Sequence, residues 1–183
     1  MRPLRGDYGR NPKPGSEPWQ TPEGMNMCKF EIRVDRVLIH APVGLVWDVL
    51  TGVERYDEWN PFTPQARTDF RIGSPAQLKV RMGPARMKIT ETVCAFEKPR
   101  LIAWSKMFGT RWLLFAVREQ HLEPMGDGRC AYHNTDRLTG VLAPLVWLSF
   151  GPYMRRGFSD VGTALKYHAE SLYAQNRPGG TPG

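Results

Sequence analysis

Residues 41–62 read APVGLVWDVLTGVERYDEWNPF, and this stretch decides the fold of the chain. Four apolar side chains in its first half recur at i, i+3, i+4 and i+7: Val43, Val46, Trp47 and Leu50. This spacing puts them on one stripe and predicts a short helix. Gly52 ends that helix, and one more polar turn leads to the aromatic corner Trp59-Asn60-Pro61-Phe62. We expect the strands that follow to form one curved sheet.

Segments on both sides of this stretch alternate between apolar and polar residues, as strands do. The candidates are residues 30–39 before it and 66–72, 78–82, 86–93, 101–106, 112–123 and 129–139 after it. Since short turns join most of them, an antiparallel sheet of seven strands is predicted. A last helix should begin near Pro152 or Tyr153 and run to about Ala174. Its apolar stripe consists of Met154, Phe158, Val161, Leu165, His168 and Leu172. The predicted fold class is therefore α+β.

The clearest hairpin lies at residues 78–89, around the turn Gly83-Pro84. Its two faces differ completely. One face is apolar and the other carries Lys79, Arg81, Arg86 and Lys88. Such a basic face is ordinarily a solvated sheet surface, but an acidic partner, an anionic membrane surface or RNA would also fit it. No aromatic residues interleave with these bases, which argues against stacking on single strands. We expect no DNA partner.

Length and composition favour one globular domain, since 183 residues with 41% hydrophobic content can bury a core. We place the domain at residues 25–175, between Pro- and Gly-rich tails at 1–24 and 176–183 that should be disordered. The longest apolar run, residues 141–153, is short and broken by prolines, so no transmembrane segment is expected. The N-terminus resembles no secretory signal. Three cysteines without metal-ligand spacing favour a reduced, cytoplasmic setting.

Glu91 is the strongest single candidate for a catalytic residue. It falls on the inward side of its strand, between Ile89 and Val93, where an unpaired carboxylate is costly to bury. In a cavity its pKa would rise, so that it could act as a general acid or base. A β-bulge, or a partner such as Arg118, would instead make it structural. The sequence contains no Gly-rich phosphate loop, nucleophile elbow or zinc spacing, so neither a metal nor a cofactor is expected.

Other candidates would line a cavity and hold a ligand. The aromatic and methionine walls are Trp59, Phe62, Met82, Trp104, Trp112, Phe150 and Phe158, although core packing would explain any one of them equally well. The sequence does not decide which side chains of the last two strands point inward. If Leu122 and Leu138 point inward, the polar residues on that side are Arg118, Gln120, Tyr132, Asn134 and Asp136. The opposite alternation places His121 and His133 inside.

Three blocks of sequence resemble the SRPBCC superfamily, which includes START lipid-transfer domains, the birch-pollen-allergen fold and polyketide cyclase/dehydrase-like proteins. They are Ile39-His40-Ala41-Pro42 with Val46-Trp47 and residues 56–62, Leu101-Ile102-Ala103-Trp104, and His121-Leu122-Glu123-Pro124 with Gly128 and 138–144. The resemblance covers residues 28–175. It implies a helix-grip fold, with two short helices after the first strand and a ligand between the concave sheet and the last helix.

The superfamily hosts carriers, cyclases and regulators, so the resemblance leaves several functions open. The first hypothesis is a carrier or sensor that binds a lipid or polyketide in the cavity. The alternative is a cyclase or dehydratase that uses Glu91 for proton transfer. The third is a regulatory protein that uses its basic hairpin face.

Overall fold

The computed structural model describes residues 29–176. The predicted tails at 1–24 and 176–183 lie outside the described residues, except for Asn176 at the end of the last helix. Eight strands form one sheet: β1 Lys29–Arg33, β2 Val37–Ile39, β3 Gln65–Arg67, β4 Pro75–Met82, β5 Ala85–Glu97, β6 Leu101–Phe108, β7 Leu114–Pro124 and β8 Cys130–Thr139. Three helices complete the fold: α1 Val43–Thr51, α2 Tyr56–Trp59 and α3 Ala143–Gln175.

The sheet is antiparallel throughout, with the order β1-β8-β7-β6-β5-β4-β3. β2 also pairs with β8, because the predicted first strand is interrupted at residues 34–36 and its two parts both lie along β8. The prediction of an antiparallel α+β helix-grip fold is thus confirmed, with one strand more than expected.

The segment that decides the fold forms α1, a 3-10 turn at Val53–Arg55 and α2. α1 buries Val46, Trp47, Val49 and Leu50, while Val43 at its start is half-buried. Its buried face contacts α3 and the inner side of the sheet. The apolar stripe predicted this helix correctly, because the spacing matches the helical period.

α3 begins at Ala143 rather than near Pro152 or Tyr153, so that prediction was wrong. Pro144 lies in the first turn, where the amide hydrogen that proline lacks has no helical partner to lose. Pro152 lies inside the helix and removes one hydrogen bond without ending it. At 33 residues the helix is about 50 Å long. Its buried residues include Met154, Phe158, Val161 and Leu165, as the stripe predicted.

The core lies between the concave face of the sheet and the helices α1 and α3. Its largest fully buried side chains include Trp47, Trp104, Tyr132 and Phe158. Within residues 29–176, no helix has both the length and the hydropathy needed to span a membrane.

Candidate functional site

The concave face of β7 and β8 is polar. Leu122 and Leu138 point inward and are almost fully buried. The polar residues that share their side are also buried: Arg118, Gln120, Tyr132, Asn134 and Asp136. His121 and His133 lie on the opposite, convex face, where their rings stack with centroids 4.5 Å apart. Of the two alternatives that the sequence left open, the structure therefore has the one in which Leu122 and Leu138 point inward.

Arg118 is the charged centre of this face. It is 7% exposed, and its Nε donates a long hydrogen bond of 3.4 Å to Asn134 Oδ1. Its guanidinium carbon lies 4.3 Å from the ring centroid of Phe158 and 5.7 Å from that of Phe62. The buried guanidinium thus stands against two aromatic faces, which attract a cation weakly. No carboxylate among the described residues forms an ion pair with it within 4.0 Å. A positive charge held this way favours a negative or strongly polar atom nearby.

Two carboxyl groups share the interior with Arg118. Glu91 faces inward opposite Ala76, and burial together with the charge of Asp136 raises the pKa of Glu91 from 4.5 to about 7. Burial also raises the pKa of Asp136, from 3.8 to about 6, although the charge of Arg118 opposes the increase. Both groups therefore titrate near neutral pH. A carboxyl group in that range can accept or donate a proton under physiological conditions.

Several polar atoms of this interior have no hydrogen-bond partner within the described protein. They are Thr63 Oγ1, Glu91 Oε2, Trp104 Nε1, Asn134 Nδ2 and Asp136 Oδ1. The register brings three of their strands together, since Trp104 pairs with Arg118 and Arg118 pairs with Asp136. Buried polar atoms are nearly always paired in folded proteins, so a cluster of unpaired ones marks a place for water or a ligand.

Other polar groups beside the cluster are already satisfied. Tyr132 Oη donates to Gln120 Oε1 at 2.8 Å, and Tyr56 Oη donates to the carbonyl oxygen of Leu50 at 2.6 Å. Asn60 Oδ1 accepts a hydrogen bond from the amide of Thr63 at 2.7 Å. These bonds fix the walls of the site, and the unpaired atoms remain for a guest.

The space among these residues is small. The internal cavity has an empty volume of about 210 Å³, of which only about 10 Å³ admits the centre of a water-sized sphere. Its lining consists of Tyr56, Asn60, Thr63, Leu78, Trp104, Arg118 and Gln120. This is about the room that one water molecule needs. The expected open hollow between sheet and helix is therefore largely filled by side chains in this structure.

An outer groove lies on the other side of Phe62. Its volume is about 310 Å³, and it is lined by Pro61, Phe62, Arg81, Gly83, Tyr153, Arg156, Gly157 and Asp160. The ring of Phe62 packs edge-on against Phe158, with centroids 5.3 Å apart, and lies directly over Gly157. A Cβ atom on Gly157 would approach Phe62 Cδ2 to 2.1 Å. Phe62 therefore stands between the groove and the guanidinium of Arg118.

The structure brings most predicted site residues to this interior. Phe62, Trp104, Gln120, Tyr132, Asn134 and Phe158 are buried around Arg118, and Glu91 faces the same side. Trp59 is buried too, but it stacks on His168 of α3, with ring centroids 6.3 Å apart. Met82 is half-buried at the end of β4.

Two predicted wall residues lie elsewhere. Trp112 is 60% exposed in the loop before β7, and Phe150 is 39% exposed on α3. Trp112 precedes β7, so the alternation of that strand does not determine where its side chain points. Phe150 lies off the buried face of α3, which passes through Gly151 and Met154 instead. Sequence reasoning also missed Tyr56, Asn60 and Thr63. The only signal for them was their position within or beside the aromatic corner.

The basic face of the hairpin has the predicted register. Lys79 pairs with Lys88, and Arg81 pairs with Arg86, with all four side chains exposed. Leu78 and Val80 are buried on the other face. A role for this face with an acidic partner, an anionic surface or RNA stays a prediction. Within residues 29–176, no group of three or more His, Cys, Asp or Glu residues is placed to hold a metal ion.

Comparison with known proteins agrees with this architecture. The family described as polyketide cyclase / dehydrase and lipid transport matches residues 27–170. The Zhui aromatase/cyclase from Streptomyces sp. R1128 superimposes with a TM-score of 0.65 at 18% identity, over 85% of this chain and 99% of that one. Norcoclaurine synthase from Thalictrum flavum, solved with dopamine and hydroxybenzaldehyde, gives a TM-score of 0.60 at 12% identity, over 87% and 96%. No curated protein matches the sequence. At these identities the two structures establish the shared fold alone.

Proposed function

The chain belongs to the polyketide cyclase/dehydrase and lipid transport family of the SRPBCC superfamily, and from this premise we propose that its interior binds a small, largely apolar molecule that carries polar oxygen atoms. The observation that carries the proposal is the buried Arg118 beside unpaired polar atoms. A purely hydrocarbon guest would leave those atoms unsatisfied, which costs about 1–3 kcal/mol for each. A polyketide- or phenol-like molecule would satisfy them.

The contacts expected in the complex follow from the chemistry of the walls. Arg118, Trp104 and Asn134 offer N–H donors to a carbonyl, phenolate or enolate oxygen. Phe62, Phe158 and Leu78 offer apolar and aromatic surface to the rest of the molecule. The polar end of the guest would thus face β7 and β8, and its apolar part would lie against α3 and β4.

A guest of this kind needs more space than the closed interior offers, because small-molecule pockets usually measure about 300–1,000 Å³. The outer groove supplies that space if the ring of Phe62 turns away from Gly157. Phe62 lies on a loop between α2 and β3, so its rotation needs no change in the sheet. Binding would therefore join the groove to the cavity and expose Arg118 to the guest.

The test compares ligands that differ only in oxygen content. A dye bound in the interior should be displaced by a polyhydroxylated aromatic compound more strongly than by a saturated hydrocarbon chain of similar size. Arg118→Met should remove this preference, while Arg86→Gln on the outer face should keep it. Equal displacement by both ligand classes, or displacement that Arg118→Met leaves unchanged, contradicts the proposal. A cytoplasmic setting and a domain at residues 25–175 stay predictions.

A second candidate function is proton transfer on the bound molecule, favoured by the pKa of Glu91 near 7 and its unpaired Oε2. In this reaction the carboxylate removes a proton from a carbon next to a carbonyl group, and the electron pair of that C–H bond moves onto the carbonyl oxygen. Arg118 stabilises the negative oxygen. In a dehydration, the enolate oxygen re-forms its C=O bond, a C=C bond forms between the α and β carbons, and the C–O bond to the β-hydroxyl group breaks. The protonated carboxyl of Glu91 gives its proton to that hydroxyl group, which departs as water.

The enzyme candidate has its own test. Glu91→Gln should lower turnover of a β-hydroxycarbonyl substrate by about 10²–10⁴-fold and leave its binding largely intact. Glu97→Gln, at the exposed end of the same strand, is the matched control. An unchanged rate in Glu91→Gln would remove the catalytic role of Glu91, and a wild type without turnover would contradict the enzyme candidate.

A further inference from the structure

The first turns of α3 and the loop before β7 form an exposed apolar surface, which we call the apolar end. It consists of Trp112, Val141, Leu145 and Leu148. The two parts are joined, since the amide of Val141 donates to the carbonyl oxygen of Trp112 at 3.0 Å. Leu145 is 60% exposed and Leu148 is 71% exposed. Side chains of this size are seldom left so open in a contiguous group unless the surface has a partner.

The part of the apolar end that lies on α3 carries no charged side chain. Residues 138–154 contain no Asp, Glu, Lys or Arg, and only Thr139 and Ser149 bring small hydroxyl groups. A helix that is apolar all round is normally buried in a core or in lipid. The side of these turns that carries Leu145 and Leu148 is left uncovered by the described residues, whereas Ala143 is buried and Trp147 packs against Phe30.

Basic residues border the apolar end. Arg155 and Arg156 follow on α3, with Arg155 about 10 Å further along the helix axis than Leu148. The tip of the β4–β5 hairpin contacts α3 at the same level, where Gly83 lies against the ring of Tyr153. Arg81 therefore shares the outer groove with Arg156. The result is an apolar tip with arginines behind it.

We propose that the apolar end inserts into the interface of an anionic lipid bilayer, with Arg81, Arg155 and Arg156 at the level of the headgroups. Interfacial protein segments of this type bury their apolar side chains about 5–10 Å deep and gain from anionic lipid. The charge pattern favours this occupant over a second copy of the chain. Two copies would bring their arginines together, and each carries a net charge of +7.

The experiment measures partition of the full chain onto phosphatidylcholine vesicles with and without phosphatidylserine. We expect binding that phosphatidylserine strengthens. Leu145→Ser combined with Leu148→Ser should reduce the partition coefficient by about tenfold or more, because two exposed leucines lose their burial in lipid. Both side chains are exposed in the free protein, so its fold should tolerate the change. Ile72→Ser combined with Tyr167→Ser removes equally exposed apolar side chains from other surfaces and should have little effect.

A second pair of substitutions tests the electrostatic contribution to vesicle binding. Arg155→Gln combined with Arg156→Gln should weaken binding to phosphatidylserine vesicles by about fivefold per residue and change binding to pure phosphatidylcholine little. Absence of binding to either vesicle overturns the proposal. Binding that the two leucine changes leave intact also overturns it and points to the basic hairpin face instead. A dimer in sedimentation that the leucine variant dissociates, without vesicle binding, assigns the surface to self-association.

Discussion

Glu91→Gln should stabilise the protein above neutral pH, and the size of the effect follows from the environment of the carboxyl group. The folded protein holds the pKa of Glu91 at about 7, against an ordinary value of 4.5. Between these two values the folded state keeps a proton that the unfolded state has lost. The free energy of unfolding therefore falls as the pH rises from about 4.5 to 7, and it levels off above 7.

One pKa unit corresponds to about 1.4 kcal/mol, so this difference amounts to about 3 kcal/mol. Glutamine keeps the shape of the side chain but has no charge to bury. The variant should thus match the wild type near pH 4.5 and exceed its free energy of unfolding by up to about 3 kcal/mol at pH 8.

The assay is urea denaturation of the wild type and of Glu91→Gln between pH 4.5 and 8. Asp136 also makes the free energy of unfolding depend on pH, because burial raises its pKa to about 6. In addition, the charge of Asp136 helps to raise the pKa of Glu91. Asp136→Asn should therefore move the Glu91 transition to lower pH. Glu97→Gln, on the exposed end of β5, should leave the profile within about 0.5 kcal/mol of the wild type. Parallel profiles for the wild type and Glu91→Gln would refute the buried-carboxyl reasoning.

Three further changes test the packing and charge of the site. Gly157→Ala should displace Phe62, lower the free energy of unfolding by about 1–3 kcal/mol and speed ligand association in stopped-flow mixing; unchanged association would show that Phe62 does not gate the cavity. Gly83→Ala should destabilise the hairpin tip in urea denaturation, since Gly83 has a φ of +61° and a Cβ there would lie 2.6 Å from Tyr153. Arg118→Met should raise the pKa of Asp136 and Glu91 further in carboxyl NMR titrations, because the charge of Arg118 lowers both; a downward shift would contradict the placement of Arg118.

The sequence predicted the parts of the fold that depend on local periodicity. The stripe at Val46, Trp47 and Leu50 predicted α1, and the alternation at 78–89 predicted the hairpin and its register. The start of α3 was missed because Pro144 and Pro152 looked like helix breakers. The structure tolerates both, one in the first turn and one within a helix held by its packing. A local rule on proline cannot anticipate such a tertiary effect.

The candidate site was predictable only in part. The alternation of its strand placed Glu91 on the inner face. It also put four polar residues of the last two strands on a common face, but it did not decide whether that face is the concave or the convex one: Arg118, Gln120, Asn134 and Asp136. The choice of side depends on pairing between distant strands. The aromatic character of Trp112 and Phe150 did not show whether they face the core. The small cavity could not be foreseen, because its lining comes from residues far apart in sequence, such as Tyr56, Trp104 and Arg118.

The two faces of the sheet treat their buried carboxyl groups differently. Glu119 on the convex face of β7 is also buried, but Arg137 donates to both of its oxygens at 2.9 Å and His121 donates to it at 3.2 Å. Burial alone would raise its pKa, yet these partners outweigh burial and lower it. Glu91 and Asp136 on the concave side have raised pKa values and each keeps an unpaired oxygen. The chain thus pairs a buried carboxylate where it supports the sheet. On the concave side it leaves one oxygen each of Glu91 and Asp136 unpaired, where a bound molecule of the proposed kind would supply the missing partners.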